Sequence, residues 1–405
     1  MRIRDLDDKA RSARQKAADL GPDIDLDSYT IESPPHEAIS DLARLSDGDK
    51  ERMLLVGIES DTGERSGSYI QKDGVPVFTA SLQEGLEIVP IREALEKFDW
   101  LADYYWKLID VDTDKYTARA SLDLHNGYLI RALPGASITF PAQACMYLEK
   151  DGFSQNVHNI IIAEEGSELH VITGCATAAH VSSGIHVGVS EFYVKKNAKL
   201  SYTMIHHWAD NVAVRPRSAG IVEEGGLFLN NYICMKPVKS LQTYPRTSLV
   251  GKGAVARFYS LLVGSPGGEL DAGGGIDLKA EDTRAEIISR AISNGGNILA
   301  RGDLVGEVPG ARGHLECRGL LLNQGMIHAI PELVGKVDGV EMSHEAAVGK
   351  IAQEEIFYLM SRGLTEDEAT ATIVRGFLSV DIPGLPAPLQ KEIDRAVDMN
   401  REDLL

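Results

Sequence analysis

Cysteine is scarce in this 405-residue chain. Its four cysteines, Cys145, Cys175, Cys234 and Cys317, lack the close pairs that zinc ribbons and ferredoxin-type clusters use. That spacing argues against a disulfide framework and against a permanent metal centre built from local thiolates. Long apolar runs are also missing: no stretch of about 18 apolar residues could cross a bilayer, and the opening Met1-Arg-Ile-Arg lacks the apolar segment of a secretion signal. Positive charge is in deficit, 41 Lys plus Arg against 60 Asp plus Glu, and the formal charge of -19 repels phosphate backbones and anionic bilayers. A soluble, cytoplasmic protein without nucleic-acid or membrane partners is expected. Nucleotide loops are absent too. Val250-Gly-Lys-Gly, Val334-Gly-Lys-Val and Val348-Gly-Lys-Ile lack the P-loop spacing, and neither Gly-x-Ser-x-Gly nor His-Glu-x-x-His occurs.

What the chain does contain is a change of period along its length. The first 45 residues are charged and interrupted by Gly21-Pro22 and Ser33-Pro34-Pro35, which predicts one or two short helices and a turn. Ile88, Ile91, Leu95, Phe98, Leu101 and Tyr105 recur at spacings of three and four and predict a helical stretch over 87–110. Residues 1–110 thus form a mixed, mainly helical N-terminal region. From 111 to 342, short apolar alternations punctuated by Gly, Asn and Asp predict strands. Leu200, Tyr202, Met204, His206 and Trp208 share one strand face, as do Leu169, Val171, Thr173 and Cys175, whereas Ser201, Thr203 and His207 point the other way.

Turn-like residues recur at Gly166, Asn197, Gly225, Gly253, Asp282, Gly310 and Gly339, at separations of 31, 28, 28, 29, 28 and 29. A period of that length in strand-rich sequence predicts a β-helix or β-solenoid, because a sandwich or barrel would turn every 8 to 12 residues or so. From Ser343 the pattern Val348, Ile351, Ala352, Ile356, Leu359, Met360 predicts a helix ending at Arg362-Gly363. Ser343 is its expected N-cap, which puts His344 and Glu345 in the first turn. Thr365 and Glu368 have the spacing of a capping box for a second helix, and Pro383, Pro386 and Pro388 then precede a last amphipathic segment. Residues 343–405 are expected to be a C-terminal helical domain.

Cys317 is followed 27 and 28 positions later, about one repeat, by the pair His344-Glu345. A thiolate, an imidazole and a carboxylate are soft, intermediate and hard ligands that iron accepts together, and a helix N-terminus favours an anionic cluster. The plainer alternatives are a small buried hydrophobe for Cys317, a helix-dipole residue for Glu345 and a surface residue for His344. Cys145 and Cys234 are expected to fill the core. His206 and His207 face opposite ways and are a poor chelating pair, which leaves His206 and Trp208 pointing inward beside the Cys175 strand.

On these residues the chain resembles the SufB/SufD family of SUF-system iron-sulfur cluster assembly scaffolds. Similarity runs from about 174 to about 380 and is most specific in Ser343-His-Glu-Ala-Ala-Val-Gly-Lys-Ile and the stretch that follows. The resemblance implies a mainly β fold, a right-handed parallel β-helix flanked by helical N- and C-terminal domains. Cys317 with the His344-Glu345 pair makes the chain SufB-like. It implies a transient iron-sulfur cluster held by Cys317, His344 and Glu345 at the interface of a homodimer, or of a complex with a SufD-like subunit. Cys175 matches the thiol that receives sulfur from a donor, with a path past His206 and Trp208 through the core to Cys317. Here His206 stands where SufB has Gln, and Tyr147 and Glu149 stand where SufB has Arg and Asn. A SufC-type ABC ATPase is the implied partner of the helices over 346–380, so a non-enzymatic scaffold is expected. Two alternatives stay open: an adaptor of the ATPase that binds no cluster, and a polysaccharide-active β-helix enzyme using Asp271 and Asp277 on a groove.

Overall fold

Two parallel ladders of strands face each other across one core. The first runs through Ala142–Leu148, Glu168–Thr177, Lys199–His207, Leu227–Cys234, Val255–Gly264, Arg284–Ser293, Arg312–Leu321 and Glu341–Lys350. The second runs through Phe153–Ala163 and Ser183–Val194, two coils whose strand is split in two, and then Glu269–Leu278, Asn297–Gly306 and Met326–Gly335. The chain crosses from one ladder to the other at every strand, which makes a parallel β-solenoid of about eight turns. The computed structural model describes residues 3–378 apart from 61, 62, 237 and 323. Pro383, Pro386, Pro388 and the expected last amphipathic segment lie outside the described residues.

The repeat read from the turns is the repeat of the register. Cys175 pairs with His206, then His206 with Cys234, Cys234 with Leu262, Leu262 with Ala291, Ala291 with Gly319 and Gly319 with Val348. Those are steps of 31, 28, 28, 29, 28 and 29 residues, matching the turn separations. All seven turn residues have positive φ, from 54° at Asn197 to 83° at Gly339, a conformation that Gly, Asn and Asp adopt at least cost.

The inner faces of both ladders form one apolar core that includes Leu169, Val171, Cys175, Leu200, Tyr202, Met204 and Trp208. Ser201, Thr203 and His207 do point outward, yet they too are buried, because helix α2 (Asp47–Leu54) and its flanks cover that wall. Leu42, Met53, Val56 and Ile58 pack there against Ile172, Ile205 and Ile233. On the opposite wall, helices α1 (Ile3–Ser12) and α4 (Lys115–Leu122) set Leu6, Ala10, Tyr116 and Ala120 against Ile185, Val187 and Val189. Each large apolar side chain buried in this way contributes about 1.5–3 kcal/mol.

Three expectations of local structure are corrected. The stretch 87–110 is not one helix: Leu86–Pro90 is a strand paired antiparallel to Tyr128–Ala132, followed by helix α3 (Ile91–Lys97) and a 3-10 turn at Asp99–Asp103. Pro90 lacks the N–H that a helix through this point would require. The N-terminal region also supplies strand Gly67–Lys72, which pairs parallel to Ala142–Leu148, so the solenoid begins before residue 111. Finally, no helix starts at Ser343. Residues Glu341–Lys350 pair in register with Arg312–Leu321, and helix α5 (Gln353–Met360) begins only after Ala352. Helix α6 (Glu366–Leu378) does carry the expected capping box: Thr365 N donates to Glu368 Oε2 at 2.8 Å, and Glu368 N donates to Thr365 Oγ1 at 3.2 Å. Its Val374 and Leu378 lie back against Tyr259, Leu261 and Leu320.

Candidate functional site

Strand alternation decides which of the candidate ligands meet. Along Arg312–Leu321, Leu315 and Cys317 face the core, and Cys317 is 2% exposed. Leu315 pairs with His344 and Cys317 with Ala346. His344 therefore lies on the inner face, diagonally beside Cys317, about 8 Å away between Cα atoms from the strand spacing and rise. Unlike the thiol, His344 is exposed, since its strand is the last of its ladder. Burial pushes the Cys317 thiol up to about 11, with the charge of Glu316 adding to the effect.

Glu345 departs from the expected trio. It pairs with Glu316 on the outer face, where Arg318 lies between the two carboxylates, 2.7 Å from Glu316 and 3.3 Å from Glu345. Ser343 faces outward as well, with its Oγ 2.8 Å from His314 Nδ1. The helix N-terminus expected to steady an anion is thus absent from this position. Among the described residues no group of three or more His, Cys, Asp or Glu side chains is arranged to hold a metal ion.

The residues expected on the sulfur route all line the interior. Cys175 and Cys234 are wholly buried, and His206 and Trp208 are buried beside them with ring centroids 5.8 Å apart. Cys145 fills the wall beneath α2 instead. Tyr147 and Glu149 face outward into a cleft of about 840 Å³, where Tyr147 Oη donates to Asp49 at 2.7 Å and Lys72 lies 3.0 Å from Glu149. His207 lines that same cleft, away from His206.

Sequence reasoning missed the column between the two ends of this route. Tyr232 pairs with Ser260, Ser260 with Ser289 and Ser289 with Cys317, and Ser260 Oγ donates to Ser289 Oγ at 3.0 Å. Polar side chains thus occupy successive rungs of the inner face up to the thiol. The signal was available: these four residues are separated by 28, 29 and 28 positions, the period of the turns.

Asp271 and Asp277 do not form a carboxylate pair on an open groove. Both are buried; Arg301 Nη2 donates to Asp271 at 3.0 Å and Arg246 Nε to Asp277 at 3.1 Å. They lie six residues apart on one strand, or about 20 Å, far beyond the separations at which two carboxylates share a glycosidic bond.

A family model for the SUF system FeS cluster assembly SufBD core domain matches residues 146–377. An iron-sulfur cluster assembly SufBD family protein of Archaeoglobus fulgidus is 53% identical over 88% of this chain and 96% of its own length. A protein of the same description from Methanothermobacter thermautotrophicus is 48% identical over 98% of this chain and 99% of its own. A bacterial relative from Staphylococcus epidermidis is 32% identical, covering 77% of this chain and 67% of its own. With a solenoid whose period, inward thiols and last-coil imidazole all lie within the matched span, this chain belongs to the SufBD family and has a role in iron-sulfur cluster assembly.

Proposed function

We propose that the chain is a non-catalytic scaffold on which a nascent iron-sulfur cluster is built, with Cys317 and His344 as its protein ligands. One observation carries this reading: the thiol and the imidazole share the inner face of the last two strands of their ladder, at the end of the solenoid. The cluster is cargo. A thiolate and an imidazole hold it less firmly than four thiolates would, which suits a protein that must pass it on. Glu345, turned outward toward Arg318, has its place at the rim rather than beside the thiol.

A homodimer through this end of the solenoid is part of the proposal. Met326–Gly335 and Glu341–Lys350 each have a strand neighbour on one side only among the described residues, and Met326, Leu333, Val334, Val337 and Val348 are exposed around them. An unpaired edge with an apolar fringe favours association, with a second copy or with a SufD-like subunit, and would bring Cys317 of one subunit toward His344 of the next. A SufC-type ATPase would dock on α5, where Phe357, Tyr358 and Met360 are exposed. Sulfur from a donor would be taken up at Cys175 and pass His206 and Trp208 on its way to Cys317. The reading sets this work in the cytoplasm.

Anaerobic reconstitution with ferrous iron and sulfide tests it. The wild-type protein should develop charge-transfer absorption with matching iron and sulfide, Cys317→Ala should lose it, and His344→Ala should retain less than half. Undiminished cluster content in Cys317→Ala would remove the proposed ligand, and a colourless wild type would favour an adaptor without a cluster.

A further inference from the structure

With Cys175 taken as the sulfur acceptor of the proposed function, its surroundings acquire a chemical role. Cys175, His206 and Cys234 are register partners on three successive strands, all turned into the core, so one imidazole is stacked between two thiols with about 4.8 Å from rung to rung. Cys175 and Cys234 are fully buried and His206 is 1% exposed. Two rungs amount to about 10 Å, beyond the Cα separation of a disulfide. The thiols are therefore not partners for each other, and each has the imidazole as its neighbour in the column.

The ring is held on one side and open on the other. Tyr232 Oη lies 3.1 Å from Nδ1, with the two ring centroids 5.0 Å apart, while Nε2 has no hydrogen-bond partner among the described residues. With its hydrogen on Nδ1, donated to Tyr232 Oη, the ring leaves the Nε2 lone pair free.

We infer that His206 is the general base for Cys175: as the thiol sulfur attacks the terminal sulfur of a small persulfide, the thiol proton passes to Nε2. The sulfur–sulfur bond of the donor breaks, its thiolate leaves and takes up a proton, and Cys175 becomes a persulfide. One sulfur–sulfur bond replaces another, so there is no net oxidation or reduction. Burial raises the Cys175 thiol and lowers the His206 imidazole, which keeps both neutral at rest, and the proton moves only as the new bond forms. The groups facing His206 are Cys175, Cys234, Tyr232, Trp208 and His186, the last a second imidazole that burial lowers to about 4, with its Nδ1 2.9 Å from Gln155. An amide in place of His206 could hydrogen-bond but could not accept this proton.

The test uses the full native chain and a small thiol probe, methyl methanethiosulfonate, with modification of Cys175 read by peptide mass from about pH 6 to about pH 9. Wild-type Cys175 should react at least about tenfold faster at neutral pH than Cys175 in His206→Gln and vary little with pH. In His206→Gln the rate should climb about tenfold per pH unit as hydroxide takes over. Tyr232→Phe keeps the ring and should slow Cys175 several-fold, a result that supports the inference even if His206→Gln fails to fold. Equal rates with parallel profiles, labelling of Cys234 instead, or an unreactive wild-type Cys175 would each overturn it. A parallel arm with cysteine persulfide separates the two readings. If labelling depends on His206 but Cys175 gains no sulfur, the acid–base pair stands and the sulfur-acceptor role falls.

Discussion

A thiol that must bind iron while buried has to lose its proton against the cost of burying a charge. At Cys317 burial and the neighbouring Glu316 raise the thiol to about 11, so iron, if Cys317 is its ligand as proposed, would have to displace a firmly held proton. The sign of the pH effect follows from this. The thiolate fraction rises about tenfold per pH unit up to about 11, and the labelling of Cys317 by iodoacetamide should rise with it. Removing the like charge should lower the thiol, so Glu316→Gln is expected to speed that labelling two- to threefold at about pH 8, and an unchanged rate would mean that burial alone sets it. Linkage runs the same way: a folded-state value above the unfolded one contributes stability at neutral pH that is lost as the pH rises toward about 11. Of this candidate site, the placing of Cys317 and His344 on neighbouring strands was legible in the sequence, because one repeat of the solenoid separates them. Glu345 was not, since consecutive strand residues face opposite ways, and the expectation of a helix had set it beside His344.

Among the elements, the turns set the coil length, and their backbone conformation is what the sequence encoded most openly. Gly253 has φ 69° with open space where a Cβ would be, so Gly253→Ala is expected to cost about 1–2 kcal/mol from backbone strain alone. Gly253→Asn should cost less, because Asn197 takes the same conformation in another coil; chemical denaturation of the pair would show it, and equal losses would point to packing instead. Helix α5 is the contrasting case, with Phe357 and Tyr358 exposed and only Arg362 over the tyrosine ring among the described residues. Phe357→Ala with Tyr358→Ala should leave stability within about 0.5 kcal/mol and, if α5 is the proposed dock, weaken binding of a SufC-type ATPase at least about tenfold by calorimetry, whereas unchanged affinity would place the dock elsewhere. The start of this helical region was misread for a physical reason. Glu341–Lys350 contains Ala346, Ala347 and Gly349, too little β-branched residue to look like a strand, and its conformation is imposed by the ladder it joins at Arg312–Leu321. Propensity yields there to tertiary pairing.

Across the whole molecule, coverage is uneven in a way that points to partners. The two walls of the solenoid are covered by α1, α2, α4 and α6, whereas among the described residues the last coil leaves its strand edges unpaired and Leu333 and Val348 exposed. Leu333 and Val348 stand on the inner face, opposite Leu304 and Gly319 of the preceding coil. A solenoid that ends this way either binds something at its end or exposes apolar surface at a cost in solubility. If the end is a self-association surface, sedimentation equilibrium should give twice the chain mass at micromolar concentration. Leu333→Glu combined with Val348→Glu should give single chains whose earlier coils remain folded, because charge at an apolar edge opposes pairing without entering the core. If the cluster site needs both subunits, those single chains should also lose the capacity to hold iron and sulfide while retaining Cys317 and His344. A monomeric variant that still reconstitutes fully would place the whole site within one subunit, and the diagonal pair on the last two strands would have to complete its ligand set with small molecules.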